Sequence, residues 1–495
     1  MGMLTPRATL WEDGMARFVA GVDCSTQSMK VLIVDPDDGR VVAAGRAAHE
    51  VTGTGGARET HPEVWWRALR DALAQTGRAG EVVALSVGGQ QHGLVVLGGD
   101  GAVLRPAALW NDTRAAGAAR DLVAALGGSQ EWAERVGVVP VAAITVSKWA
   151  WLRAADPRAA DTARAVRLPH DFLTERLTGR ATTDRGDASG TGWWSTAAED
   201  YAADVLDLDL VRLDPALLPE VLGPDEPAGP VTRAAAEVLG LPADVVVGPG
   251  TGDNMAAALG LGVGAGVPVV SLGTSGTAYA VSDRRAADPS GEVAGFADAT
   301  GRFLPLACTL NCTLAVDRAA AWLGVDREAV EPGGDVVVLP FLDGERTPDL
   351  PRAAGTITGL RHDSTRGQIL RATYEGAVLS LLDALDRLHR WSSGLMADAP
   401  VVLIGGGARG AAWREVVARL SGRPLQIPDA EELVALGAAA QAAAVLSGEA
   451  PDAVAGRWDL LRGTTVEAIE RDEDALERHR HVRALTAALN GSSPG

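Results

Sequence analysis

Residues 248–260 read GPGTGDNMAAALG, a run of turn formers that delivers one carboxylate, Asp253, to the start of an alanine-rich, helix-forming stretch. Two uses fit a carboxylate so placed. It can cap the helix, because aspartate accepts hydrogen bonds from first-turn amides. It can also stand in a cleft as a general base for an alcohol that attacks a nucleotide phosphate. Phosphoryl transfer asks a protein for alignment, charge neutralisation and one group that orients or deprotonates the nucleophile. Asn254, next in the chain, offers an amide to a hydroxyl of the same alcohol.

Three turns have the composition to hold phosphates and a nucleoside. In GVDCSTQSMK (21–30), Asp23 closes an apolar run, and Ser25, Thr26, Gln27 and Ser28 supply amides and hydroxyls in a tight turn. A concave nest of N–H groups suits phosphate oxygens, a neighbouring carboxylate can hold magnesium through water, and Lys30 can neutralise phosphate charge. Taken alone, this turn reads better as an ordinary polar hairpin. SLGTSGT (271–277), which carries Thr274, has the same character. IGGGARG (404–410) follows a strand-like run and precedes a helical one, and its glycines, Gly406 and Gly407 among them, let backbone approach a flat ligand closely. No GxxxxGK[ST] string occurs, which excludes a P-loop enzyme, and GLGVGA (260–265) imitates a dinucleotide fingerprint but follows a helical pattern.

Groups able to read a polyol lie in two further strings. GGQQHG (88–93) ends an apolar run with Gln90, Gln91 and His92, and ALWNDTR (108–114) sets an indole beside an amide and a carboxylate. For His92 alone, a structural hydrogen bond is the simpler reading. Of the 45 basic residues only Lys30 and Lys148 are lysines. Arginine usage so strong, with abundant alanine and glycine, looks like a genome-wide bias. Two lysines that survive it do so by chance or because ammonium chemistry is wanted.

The elements that must position these groups read as α/β. From Arg17 come FVAGVD, the polar turn, VLIVD and VVAAGRAAHEV as three strands, then an amphipathic helix in HPEVWWRALRDALAQTG with Trp65, Leu69 and Leu73 at helical spacing, then the strand VVALSVGG. About 250 residues later, PVVSLGTSGTAYAV opens a similar series through VVVLPFL, a helix near residues 368–390, VVLIGGG and a helix from about Ala411. Two similar halves, each opening on a phosphate-sized turn, imply a duplicated nucleotide fold with a cleft between. The expected divisions are a leader without fixed structure over 1–15, a first domain over 16–262, a second over 263–450, and a charged helical tail over 451–495 whose His479, Arg480 and His481 form a solvated face.

Bulk properties narrow the class. A chain of 495 residues exceeds one ordinary core, and 47% apolar with 22% charged residues is a soluble, globular balance. No apolar run has bilayer length, and the first fourteen residues lack a signal-peptide core. Cys24, Cys308 and Cys312 make neither a disulfide framework nor a metal pattern, so a reducing, cytoplasmic compartment is expected. The net charge, 45 − 64 = −19, argues against general nucleic-acid binding.

Taken in order, GVDCSTQSMK, HPEVWW, GGQQHG, RPAALWNDTR, LPHDFLTERLTG, TDRGDASGT, GTGDNMAAALG, SLGTSG, FLDGERTP, GTITGL with ATYEG, and IGGGARGAAW closely resemble the motifs of the FGGY carbohydrate kinases, and within them the xylulose kinases. The match runs from Arg17 to about Gly448. It implies two ribonuclease H-like domains in the actin-like ATPase arrangement, with the active site in the interdomain cleft. It further implies ATP and Mg2+, phosphorylation of a small sugar (D-xylulose to D-xylulose 5-phosphate), no nucleic-acid or membrane partner, and a homodimer. By the same resemblance Asp253 is the catalytic base and Asp23 supports magnesium. Thr26 and Lys30 fall in the first phosphate loop, Thr274 in the second, and Gly406 and Gly407 in the adenosine loop. Gln91, His92, Asp253 and Asn254 match sugar-contacting positions. Gln91 stands where many xylulose kinases carry methionine, Cys24 and Ser25 replace a small residue and glycine, and Asp349 stands where histidine is frequent. A kinase of another ketose or polyol, such as ribulose or L-xylulose, is the runner-up. An actin-like ATPase or a sugar-binding pseudokinase is the alternative class.

Overall fold

The hairpin, helix and strand pattern of the first half builds a seven-stranded sheet, and the second half builds another to the same plan. The computed structural model describes residues 17–391 and 398–486, so the leader assigned to residues 1–15 lies outside it. In the first sheet β1 (Phe18–Cys24) pairs antiparallel with β2 (Ser28–Val34), which pairs with β3 (Val41–Ala48). On its other side β1 runs parallel to β4 (Val82–Gly89), followed by β5 (Val246–Val247). In the second sheet β6 (Val269–Leu272) pairs antiparallel with β7 (Gly276–Tyr279). Outside β7 lie β9 (Phe303–Thr309) and then β8 (Ala294–Ala297). On the other side β6 runs parallel to β10 (Val401–Ile404), and then come β11 (Leu425–Pro428) and β12 (Gly463–Val466). Antiparallel hairpin, third strand outside it and parallel strand inside recur in the same order. This is the pair of ribonuclease H-like domains expected from the motifs.

Central β1 is buried along its whole length, whereas the edge strand β3 alternates towards solvent. A strand covered on both faces has no polar side to show. One cover is α1 (Glu63–Thr76), whose Trp65, Leu69, Ala72 and Leu73 are buried at helical spacing and which stops at the left-handed Gly77. The other cover comes from the second half of the chain. Helix α9 (Leu433–Ser447) is apolar except for the buried Gln441 and the terminal Ser447, and is buried from Ala435 to Ala444, the composition of a core helix. It lies between the first sheet and α5 (Asp253–Leu261). Contact is close enough that a Cβ on Gly21 would stand 1.8 Å from the Ala435 carbonyl oxygen, and one on Gly437 1.8 Å from that of Ala256.

The two sheets thus draw their strands from either side of residue 262, while α9, which follows the second sheet's β11, packs on the first sheet. The expected helical tail also takes another form. Helix α10 (Pro451–Trp458) packs on α9, and Trp458 covers Gly39 next to β3. β12 completes the second sheet, and α11 (Glu473–Thr486) follows. His479 is buried there rather than solvated, and burial pushes its pKa down to about 4. VVVLPFL contributes Val337–Leu339 to a separate two-stranded sheet, with the long helix Arg366–Trp391 packed against it.

No single helix among the described residues is long and apolar enough to cross a membrane. Helices α9 and α10 pass together by length and composition, but they are bent by 119° and α9 lies inside the fold.

Candidate active site

The antiparallel register of β1 and β2 sets Asp23 directly opposite Lys30, so the first turn brings a carboxylate and an ammonium to the same end of the sheet. Lys30 Nζ lies 3.2 Å from Asp23 Oδ2 and 2.5 Å from Glu432 Oε2. Asp23 Oδ1 accepts from Ser25 Oγ at 2.6 Å. Asp23 and Lys30 line a cleft of about 570 Å³ whose walls come from both halves: Asp253 and Asn254 from the first, and Ser271, Gly406 and Glu432 from the second.

Asp253 is the first residue of α5, and Gly252, in extended conformation, occupies the cap position. The capping use of Asp253 is thereby overturned. Its carboxylate accepts from the Asn254 amide at 2.8 Å and from Asn254 Nδ2 at 2.9 Å, and otherwise faces the cleft. Burial raises its pKa from 3.8 to about 7, with the charges of Asp23 and Asp187 adding to the shift. Burial also raises Asp23, against the opposing pull of Lys30 and Ser25. A carboxyl poised near neutrality is suited to accept a proton during reaction.

The loop carrying Asp253 is pinned from behind. Ser86 Oγ donates to Gln441 Oε1 (2.6 Å), Gln441 Nε2 donates to the Gly250 carbonyl (3.0 Å), and Gly250 N–H donates to Ser86 Oγ (3.2 Å). Thr251 Oγ1 donates to Asp184 Oδ2 at 2.7 Å. Asp184 caps α4 (Arg185–Ser189) by accepting from the amides of Gly186 and Asp187. His170 lies behind it, wholly buried, with Nδ1 2.8 Å from Asp187 Oδ2 and Nε2 3.3 Å from Asp171 Oδ1. Burial opposes its charge, but those carboxylates and Asp184 raise its pKa to about 9.

At the other end of α4, the Gly190 carbonyl lies 2.8 Å from His92 Nδ1. A carbonyl only accepts, so Nδ1 carries the proton. Burial first, then the charges of Lys148 and Arg346, pushes the His92 pKa down to about 3. The imidazole is therefore neutral, with Nε2 as a bare acceptor. Its ring meets Phe296 of β8, centroids 5.6 Å apart, so the second half closes one side of this subsite. Gln91 Oε1 accepts from Asn254 Nδ2 at 2.9 Å, while Gln91 Nε2 is buried without a protein partner. Gln91, Asn254 and Asp253 are thus linked by hydrogen bonds, with His92 next to Gln91 in the chain, and of the four Asp253 and Asn254 line the cleft.

The remaining residues are placed less uniformly. Thr26 Oγ1 accepts from Trp110 Nε1 at 3.0 Å, which ties the WND string to the first turn. Thr274 is exposed, and its carbonyl accepts from Leu314 in helix α6 (Thr313–Leu323). Gly406 lines the cleft with open space beside its Cα, whereas Gly407 packs against the wall, where a Cβ would come 2.7 Å from that of Leu272. Sequence reasoning missed Glu432, Gln441, Phe296 and the His170 cluster. The string LPHDFLTERLTG contains His170, but nothing local marks it as lying behind Asp253.

A magnesium ion fits in one way only. Among the described residues no group of three or more His, Cys, Asp or Glu side chains could hold a metal ion. Two buried carboxylates, Asp23 and Asp253, are nevertheless both raised by burial at the cleft, and the charge of Asp23 adds to the shift of Asp253, negative charge that suits a cation arriving with a nucleotide. Mg2+ is commonly held by one or two carboxylates plus substrate phosphates.

The model of the FGGY family of carbohydrate kinases matches this chain over both its N-terminal domain (18–260) and its C-terminal domain (269–446). A xylulose kinase of Streptomyces coelicolor is 60% identical over 484 residues, covering 96% of each chain. One from Streptomyces rubiginosus is 61% identical, covering 95% of this chain and 97% of its own. The crystal structure of xylulose kinase from Bifidobacterium adolescentis superposes with a TM-score of 0.83 at 37% identity, over 94% of this chain and 99% of that one. Two matched domains, a duplicated fold and a cleft lined by both halves agree, and the chain belongs to the FGGY family of carbohydrate kinases.

Proposed function

We propose that this protein transfers the γ-phosphoryl group of ATP to the 5-hydroxyl of D-xylulose, giving D-xylulose 5-phosphate and ADP. The observation that carries the reading is the placement of Asp253, a desolvated carboxyl at the cleft, in a chain 60% identical to a xylulose kinase over nearly its whole length. Asp253 takes the hydroxyl proton as the O5–phosphorus bond forms and the bond from the γ-phosphorus to the β–γ bridging oxygen breaks. Asn254 steadies the carboxylate. His92 Nε2 accepts from a sugar hydroxyl and Gln91 Nε2 donates to a sugar oxygen, each using the valence the fold leaves open. On the nucleotide side, Lys30 neutralises phosphate charge, Thr26 and Thr274 border the phosphates, and the Gly406–Gly407 turn receives the adenosine. Asp23 would hold the nucleotide's magnesium ion, which withdraws charge from the transferring group.

A cytoplasmic location accords with three free thiols, Cys24, Cys308 and Cys312, and the proposed assembly is a homodimer. The test is a coupled ADP-release assay over pentuloses, hexuloses and polyols. D-Xylulose should give the highest kcat/KM; a preference of tenfold or more, about 1.4 kcal/mol, for ribulose or glycerol overturns the substrate.

A further inference from the structure

Of the two lysines in the chain, Lys30 belongs to the nucleotide side of the cleft and Lys148 has no part in the chemistry described above. Lys148 sits in helix α2 (Thr145–Ala155) and is fully buried. Its ammonium makes no ion pair among the described residues. It donates instead to two main-chain carbonyls, that of His92 at 3.1 Å and that of Ala143. Thr145, one turn earlier, donates to the same His92 carbonyl at 3.3 Å. His92 needs this support, because its φ of 65° places a side-chain-bearing residue in the left-handed region. The ring is fixed separately through Gly190, so α2 holds the backbone of His92 while α4 holds its imidazole.

A buried cation without a carboxylate in contact is costly, and burial pushes the Lys148 pKa down to about 7 against the pull of the Asp112 charge. Filling a core needs no such charge. Arginine, the basic residue this chain otherwise uses, would bring a larger, planar head in place of the compact, rotatable ammonium. We infer that Lys148 is a positioning residue for sugar recognition, holding the Gly88–His92 turn so that His92 Nε2 faces the substrate. The inference rests on the reading of His92 as a sugar ligand.

The test is steady-state kinetics of wild type, Lys148→Met, Lys148→Gln and His92→Ala with both substrates varied. Lys148→Met should raise the KM for D-xylulose about tenfold or more, leaving the KM for ATP within about twofold. Lys148→Gln, which keeps N–H donors without the charge, should recover part of that loss. Unchanged sugar KM in Lys148→Met, equal losses for both substrates, or failure of both variants to fold overturns the inference. If His92→Ala raises the sugar KM and Lys148→Met does not, the positioning role alone falls; if neither does, the reading of His92 falls with it.

Discussion

The two halves share a fold but differ in what stands behind their functional turns. Behind the first-half turns lie buried titratable groups: Lys148, His170, Asp171, Asp184 and Asp187 are all within 3% of full burial. Behind the second-half turns lie Leu272, Leu403, Ile404 and glycine backbone. The proposed ligands account for the difference. A sugar is read hydroxyl by hydroxyl, so each side chain must be locked in one tautomer and orientation. A nucleotide presents phosphates, which backbone amides can hold, and a flat base, which needs shape.

Perturbations of the two halves should therefore separate. The largest effect on the nucleotide side is expected for Asp23→Ala, which should lower kcat about a hundredfold or more while sugar affinity, measured by calorimetry, stays within about threefold. Parallel loss of sugar binding would erase the distinction. Gly406→Val places a branched side chain in the open space of the proposed adenosine turn and should raise the KM for ATP about tenfold with little change for the sugar.

Gly437→Ala tests the seam rather than either ligand. Its Cβ would meet the Ala256 carbonyl at 1.8 Å, so the helices must part. Overpacking of this kind costs about 1–3 kcal/mol, to be read from chemical denaturation, with both KM values drifting together.

A smaller and more specific effect concerns pH. With Asp253 at about 7, kcat/KM for the sugar should fall on the acid side of neutrality as the base becomes protonated. The magnesium nucleotide carries net negative charge, so the limb in kcat should lie no lower than the limb in kcat/KM for free enzyme. Coincident limbs near 4 would mean that Asp253 is not desolvated as described.

How far the sequence reached follows the same divide. Hairpins, α1 and the glycine turns are local, and their signals are hydrophobic period and turn composition, so β1–β2, β6–β7 and the turn after β10 were legible. The return of α9 to the first sheet was not, because a nearly all-apolar helix states that it is buried without stating where. His479 looked solvated because its neighbours Arg480 and His481 are polar, yet one face of α11 packs inward. At the site, Asp253, Asp23 and Lys30 carried turn signatures. Glu432 reaches the cleft, and Gln441 the back of the Asp253 loop, from more than 150 residues away in the chain, and only tertiary structure brings them there.

The central claim is that Asp253 is the base, and Asp253→Asn addresses it most directly, with kcat and melting temperature measured on one preparation. Because the folded-state pKa is raised above 3.8 to about 7, stability tied to this group is fully present below pH 3.8 and lost as pH rises through 7. An amide removes that cost, so at pH 8 the variant should melt no lower than wild type, and the difference should vanish towards pH 4. The account predicts a stable enzyme whose sugar phosphorylation falls at least about a hundredfold. A stable Asp253→Asn enzyme with full turnover would contradict it.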